Sequence, residues 1–308
     1  MTTLGLNQLR VFEAVTRCGS FIKAAERLHV TPPAVSLQIH QLEEACGVPL
    51  FERLGRRVRL TPTGELLQGY TARIFALVSD AEGAVQQGRG FDHASLRIVA
   101  AATATTYYLP PLWAAITQRY PGLRVQLSLE NSQRVLDRLV ALDDDVGVIG
   151  GTATHPDLVL VPLVNDPLVV VVGRGHPWAK RKTISLKSLE AQRLIFRERG
   201  SASRALLEHR LAAHGIRYDP TLEIGSNEAI KRAVEIGHGV GVLSQAVVAR
   251  EVRAGHLRAL RVRERGFSRT LSLAYHRMRE QSPLIQAVVE VAAGTRLPYA
   301  REARRPAT

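Results

Sequence analysis

SFIKAAERLHVTPPAVSLQIHQLEEACGVPLFERLGRRVRLTPTGELL, residues 20–67, is the stretch that decides the fold of the N-terminal part. Ser20 caps a short helix whose inward face is Phe21, Ala24, Ala25 and Leu28, and the paired alanines let a second helix approach closely. Thr31 caps that second helix, with Pro32 at its first position, where a missing N–H costs nothing. Val35, Ile39, Leu42 and Cys46 form a narrow inward stripe, and Gly47 followed by Pro49 stops the helix. Ser36, Leu37, His40, Gln41 and Glu44 therefore face outward. Two helices joined by a tight turn, the second with a polar outer face, make a helix-turn-helix. Leu50–Phe51 and Val58–Leu60 then flank Arg53, Arg56, Arg57 and Arg59, a strand–turn–strand wing with guanidinium groups placed for phosphates or a minor groove.

On the N-terminal side, Leu6, Leu9, Phe12 and Val15 recur at helical spacing up to Gly19, completing a three-helix head. On the C-terminal side, Thr61–Pro62 opens a long helix to about Gly88. Leu67, Tyr70, Ile74, Leu77, Ala81, Ala84 and Gly88 alternate by three and four, a heptad seam that predicts a dimerisation helix. The polar, glycine-bearing RGFDHAS at 89–95 reads as a hinge. Beyond it, apolar runs at 96–101, 123–129, 146–149, 159–161, 168–172, 194–196, 240–243 and 271–275 alternate with helical patterns at 109–119, 132–142, 201–213, 227–237 and 284–293. Such alternation predicts one or two parallel-sheet α/β domains.

The chain has 308 residues, 45% hydrophobic and 22% charged, which excludes disorder as its general state. No apolar run approaches the ~18 residues of a membrane span, and the N-terminus lacks a basic-then-apolar signal pattern, so the sequence predicts a cytoplasmic protein. Cys18 and Cys46 are too few for a disulfide framework or a zinc site, and both fall on inward faces as small core residues. The net charge is +13, but residues 1–90 carry ten basic against eight acidic side chains, leaving 31 against 20 for residues 91–308. The excess of +11 thus lies outside the head. Charge alone does not separate a solvated surface, an anionic ligand and general attraction to DNA.

These elements together resemble the LysR-type transcriptional regulators over essentially the whole chain, most specifically where VPLFER, the arginine wing and LTPTG follow the helix-turn-helix. RERGSASR at 197–204, SNEAIKRAVEIGHGVGVLS at 226–244 and YHRMREQSP at 275–283 resemble the subgroup controlling carbon-dioxide-fixation or sulfur-assimilation operons. The resemblance implies an N-terminal all-α winged helix-turn-helix at 1–61, a linker helix at 62–88 and an α/β effector part. That part would consist of two α/β subdomains resembling type 2 periplasmic binding proteins, 91–163 plus 269–308 and 164–268, with the ligand between them. It further implies promoter DNA and a small-molecule effector as partners, self-assembly as a homotetramer (a dimer of dimers), and RNA polymerase contact if the protein activates. The family often has Gln where this chain has Pro32, and Arg where it has Leu37, so no operator sequence transfers.

Side chains at the N-terminal end of a recognition helix reach base edges in the major groove, which makes Thr31, Pro32, Pro33, Ser36 and His40 the candidates there. Arg53, Arg56 and Arg57 are the candidates for backbone or minor-groove contact. For the effector, ligands gather at strand–helix junctions of open α/β sheets. Thr103 and Thr105 follow the first strand, Asn131 and Ser132 the second, Arg197 and Ser201 precede one helix, and Ser226 and Asn227 open another. Hydroxyls, amides and free helix N–H groups there suit an anion, with Arg204 and Lys231 nearby. A serine or asparagine at a helix start is more often only a cap.

An enzyme is the competing class, yet G-x-S-x-G, H-E-x-x-H and P-loop patterns are absent, and G-x-G-x-G at 237–241 follows a helix rather than a first strand. The histidines lack ligand spacing, and Asp143–Asp145 read as a loop rather than a metal cluster, so no metal or cofactor is expected. A transport-type solute-binding protein is opposed by the head and the missing signal pattern.

Overall fold

The computed structural model describes residues 4–54, 57–86, 88, 91–152 and 154–298. The chain forms two compact units, Met1–Ala81 and Glu82–Thr308.

The first unit opens with α1 (Leu6–Cys18), α2 (Phe21–Leu28) and α3 (Pro32–Cys46). Gly19 (φ +60°) and Gly47 (φ +70°) close α1 and α3 in the left-handed conformation that glycine adopts without penalty. His29 ends α2 with φ +55°, a conformation uncommon for a residue with a Cβ. Phe12, Val15, Ala24, Ala25, Val35, Leu42 and Leu50 are fully enclosed in one core. The wing is an antiparallel pair, β1 (Phe51–Leu54) and β2 (Arg57–Leu60), with Phe51 opposite Leu60 and Arg53 opposite Val58. It leads into α4 (Pro62–Gln86).

The second unit begins with β3 (Ser95–Ala101), a π-helical turn at Ala104–Tyr108, α5 (Pro110–Arg119), β4 (Arg124–Glu130), α6 (Ser132–Val140) and β5 (Val146–Gly150). It continues through β6 (Leu158–Gly173), β7 (Thr183–Ile184), β8 (Leu194–Arg197), α7 (Ala202–Ala213), β9 (Pro220–Ile224) and α8 (Asn227–Glu235). β10 (Val240–Ser244), α9 (Gln245–Ala254), β11 (Leu257–Val262), β12 (Ser268–His276) and α10 (Pro283–Gly294) complete it.

The strand order β4-β3-β5-β12-β6-β10-β8-β9 gives two lobes joined through β6. The first half of β6 pairs with β12, from Leu158 opposite His276 to Pro167 opposite Ser268. Its second half, Leu168–Gly173, pairs with β10 on one side and β11 on the other. Apolar clusters lie on both faces of each lobe's sheet. Leu112, Ile116, Leu273 and Val288 belong to one face of the first lobe, and Val135 and Leu139 to the other. In the second lobe, Leu207 and Leu211 of α7 lie in one cluster and Ile230 of α8 with Val247 of α9 in the other.

Three expectations need correction. The sheets are mixed rather than parallel, because β12 runs antiparallel to both β5 and β6. The runs at 159–161 and 168–172 are one sixteen-residue strand. Pro162, Asp166 and Pro167 resemble a loop, but a bulge on β6, where Leu163 is the extra residue opposite Leu271 and Ser272 of β12, lets the ladder pass Pro162. The heptad seam mixes two faces of α4: Leu67 and Ile74 pack against the core of their own head, whereas Tyr70 and Leu77, with Leu66 outside the seam, are more than half exposed.

Candidate nucleic-acid interface and ligand cleft

In the head, the Thr31 hydroxyl accepts the Ala34 N–H at 3.4 Å, so its oxygen caps α3. Pro32, Pro33, Leu37 and His40 are exposed and Ser36 is half-buried at the rim of a shallow hollow between α2, α3 and the wing. His40 Nε2 lies 3.3 Å from Glu44 one turn on. The recognition helix is fixed to the wing by Glu43, whose Oε1 accepts the Leu50 and Phe51 N–H groups at 2.8 and 3.2 Å. The TPTG corner is fixed as tightly. Thr61 donates its hydroxyl to the Pro49 carbonyl at 2.9 Å and accepts the Gly64 N–H at 3.0 Å, and any Cβ on Gly64 would sit 2.2 Å from the Leu50 carbonyl oxygen. Glu43 was not singled out by sequence reasoning; its contact is to residues seven and eight positions on, beyond any helix-local pattern. Arg56, and the side chains of Arg53 and Arg57, lie outside the described residues. Cys18 and Cys46 are half-buried against the head core, and burial, followed by the Glu43 charge, pushes the Cys46 thiol up and keeps it protonated.

In the second unit, Thr103, Asn131, Ser132, Arg197 and Ser201 line one small cavity, together with Glu130 and Arg269. Its volume is about 10 Å³, room for a water molecule at most. The cause is that polar groups from the two lobes satisfy one another. Asn227 Nδ2 donates to Thr103 Oγ1 at 3.2 Å, and Arg197 Nη1 donates to Asn227 Oδ1 at 2.5 Å. Asn131 Nδ2 donates to the Arg199 carbonyl at 3.3 Å, and the Gln133 N–H to the Gly200 carbonyl at 3.1 Å. Tyr107 donates its hydroxyl across the same gap to Glu228 at 3.1 Å. Ser201 and Ser203 hydroxyls pair at 3.0 Å, and Ser132 Oγ accepts the Gly150 N–H at 3.4 Å.

Two candidates do not join this cluster. Thr105 turns its hydroxyl back to the Ala101 carbonyl at 3.2 Å, and Ser226 caps α8 through the Ala229 N–H. The cations are also less available than their sequence positions suggest. Glu198 holds Arg197 by two bonds, 2.7 and 2.8 Å. Arg204 is bound by Glu208 and Glu223, and lies 5.5 Å over the Phe196 ring. Lys231 is enclosed between Glu228 at 2.7 Å and Glu251 at 2.6 Å. Burial lowers its affinity for a proton, but the two carboxylates outweigh burial and hold the ammonium above the ordinary lysine range.

Behind the cleft lies a group that sequence reasoning missed. Asp166, fully enclosed on β6, accepts bonds from Tyr108 (2.7 Å), Ser244 (2.5 Å) and Arg269 (2.9 Å). Burial and the neighbouring Asp166 charge push the Tyr108 phenol far above its ordinary range, so it remains a donor. One carboxylate thus gathers side chains from both lobes on the strand they share. An acid within VPLVNDPLVVVVG was the available signal.

Comparison with known families matches residues 6–65 to the bacterial regulatory helix-turn-helix protein, lysR family, and residues 89–295 to the LysR substrate binding domain. The HTH-type transcriptional activator CmpR of a Synechocystis species is 35% identical, over 94% of this chain and 95% of its own. The RuBisCO operon transcriptional regulator of Acidithiobacillus ferrooxidans is 34% identical, covering 92% of each chain. Among solved structures, the regulatory domain of CcmR from Synechocystis PCC6803 in complex with 2-PG (2-phosphoglycolate) is 30% identical. It aligns with 66% of this chain and 97% of its own, at a TM-score of 0.60.

Proposed function

This chain belongs to the LysR family of DNA-binding transcriptional regulators, on the side of the carbon-dioxide-fixation and sulfur-assimilation subgroup, and from that premise we propose how it is controlled. A small anionic metabolite enters between the lobes and is held by Thr103, Asn131, Ser132, Arg197, Ser201 and Asn227. The observation that carries this is the meeting of hydroxyl, amide and guanidinium groups from both lobes in one cleft, where Asn227 bonds Thr103 and Asn131 the Arg199 carbonyl across the gap, and Arg197 supports Asn227 from its own lobe. An anion replaces those bonds with its own, displacing Glu198 from Arg197, and so changes the closure of the lobes. The 2-phosphoglycolate in the relative's regulatory domain makes a short phosphorylated acid the first compound to test.

The head reads promoter DNA with Pro33, Ser36 and His40, and the wing arginines Arg53, Arg56 and Arg57 hold the backbone. Two heads pair on an interrupted palindrome, in a cytoplasmic dimer of dimers that meets RNA polymerase if it activates. The boundaries that fit this scheme are a head at 1–61, a linker helix at 62–88, a hinge at 89–95, and effector lobes at 91–163 plus 269–308 and at 164–268. The family consists of regulators rather than enzymes, so no turnover is assigned to the cleft.

Footprinting of the full chain on the intergenic region beside its gene, with and without 2-phosphoglycolate, tests the scheme alongside calorimetry. The expected result is an altered footprint and a measurable affinity that falls at least tenfold in Thr103→Ala and Asn227→Ala. An effector that proves neutral, or one whose affinity both variants leave intact, sinks the assignment of this cleft.

A further inference from the structure

At one edge of the second lobe, away from the cleft, the turn GRGHPWAKRK at 173–182 and the run RVRER at 261–265 bring together seven lysines and arginines and one acid. The turn carries the chain from the end of β6 to the edge strand β7, which pairs parallel with β11. The Arg261 N–H donates to the Lys182 carbonyl at 3.0 Å and the Arg263 N–H to the Ile184 carbonyl at 2.9 Å, so the two stretches lie side by side. The turn is also held in place. Trp178 is buried in the core of the lobe, its N–H donates to His176 Nδ1 at 3.1 Å, and the Arg181 N–H donates to its carbonyl at 2.8 Å.

All seven cations are exposed, and none has a carboxylate within 4 Å among the described residues. Glu264, the acid among them, is turned away: its two oxygens accept the Leu186 N–H at 3.0 and 3.1 Å. Elsewhere on the same lobe Lys187 and Arg232 face carboxylates at 2.6 and 2.7 Å. Like charges on neighbouring strands repel, so the fold gains nothing from setting Lys182 beside Arg261. A polyanion offsets that repulsion, and two features indicate which kind. Neither stretch exposes a large apolar side chain among the described residues, whereas protein docking sites are built round apolar and aromatic anchors. Most of the cations are arginines, whose planar forks match phosphate oxygens two at a time.

We propose that this edge of the effector part is a second DNA contact, holding the phosphate backbone of the duplex outside the half-sites without regard to sequence. The proposal rests on the reading of the head as the part that selects the promoter. A duplex held by the head is at high local concentration for the rest of the same chain, so a few solvent-exposed phosphate contacts add to the affinity of the whole.

Hydroxyl-radical footprints and salt titrations of the full chain, on the promoter fragment and on a mixed-sequence duplex of equal length, test the edge. The triple variant Lys182→Gln, Arg261→Gln, Arg263→Gln flattens the slope of log K against log salt by about two to three units on both duplexes. On the promoter it loses backbone protection outside the half-sites and keeps protection within them. Arg174→Gln with Lys180→Gln, confined to the exposed turn, flattens the slope by about one to two units. Lys187→Gln, Arg193→Gln, Arg217→Gln removes as much charge from another part of the lobe and leaves slope and footprint as in wild type. Arg53→Ala reports on the head alone, so failure of the head's assignment is distinguishable from failure of the edge. An unchanged slope in both edge variants, which is the result if this edge meets an acidic protein instead, or an equal fall in the control variant, overturns the proposal.

Discussion

Asp145 shows how far a single residue's role depends on contacts from distant parts of the chain. It is almost fully enclosed between Arg97, whose N–H and Nη2 reach it at 2.6 and 2.9 Å, and Arg279. Burial raises its pKa, but the two guanidinium charges and the Arg97 hydrogen bonds outweigh burial, and the carboxyl titrates below its ordinary range. A carboxyl depressed in the folded state contributes stability above its unfolded pKa, and loses that contribution as pH falls through the folded one. Asp144 next to it has the opposite sign, since burial outweighs Arg138 and raises its pKa. Asp145→Asn removes the buried carboxylate that Arg97 and Arg279 share and is expected to cost roughly 3–5 kcal/mol near neutral pH. In urea melts the gap to wild type narrows below about pH 4, because only the wild type has that carboxyl to protonate. A gap constant from pH 7 to pH 3 contradicts this account. The sequence marks Asp143–Asp145 as a loop; nothing local indicates an arginine 134 residues away. The cleft behaves likewise. Its hydroxyls and amides were legible because caps stand at strand–helix junctions, but Glu223 and Glu251 lie 19 and 20 residues from the cations they neutralise.

At the scale of the element, α4 shows why a periodicity can be right in type and wrong in face. Alternating spacings of three and four place Leu67, Tyr70, Ile74 and Leu77 in one seam, and only the packing shows that Leu67 and Ile74 are covered by the head while Tyr70 and Leu77 are not. The exposed stripe is therefore the one proposed to meet a second copy. Leu77→Lys is expected to weaken the head-to-head dimer while leaving the melting temperature near wild type, because two like charges then face each other in a desolvated seam. Leu67→Lys instead puts a charge against the head's own core, and unfolds it at a cost of at least ~2–5 kcal/mol. Sedimentation with thermal melts of the full chain separates the two. A dimer indifferent to Leu77→Lys places the seam elsewhere. Other elements escaped the sequence for a local reason: β9 (PTLEI) and β11 (LRALRV) break their apolar residues with polar ones, and α9 follows β10 without a break that propensity could mark. The head's helices were legible nearly to the residue because its caps, glycine stops and Pro32 act locally.

At the scale of the molecule, charge and contact with DNA need not coincide. The unit outside the head holds most of the basic excess, +11 against +2, while the helix-turn-helix and wing lie within the first unit. Neutralising a phosphate releases counterions, so each lost phosphate contact lowers the slope of log K against log salt by about 0.9. If the head makes the contacts, Arg53→Ala lowers the slope by about one on specific and random duplexes alike. Ser36→Ala, at the base-reading end of α3, costs about 1–3 kcal/mol on the specific site and spares random DNA. Arg250 and Arg253, on α9 in the other unit, serve as the control. The double variant Arg250→Glu, Arg253→Glu removes four units of positive charge, yet leaves the slope within about half a unit of wild type. General attraction between a basic protein and DNA predicts the reverse, with the double variant falling most. Measuring all three across 50–200 mM salt decides between them, since a slope that follows net charge rather than position removes the head from its proposed role.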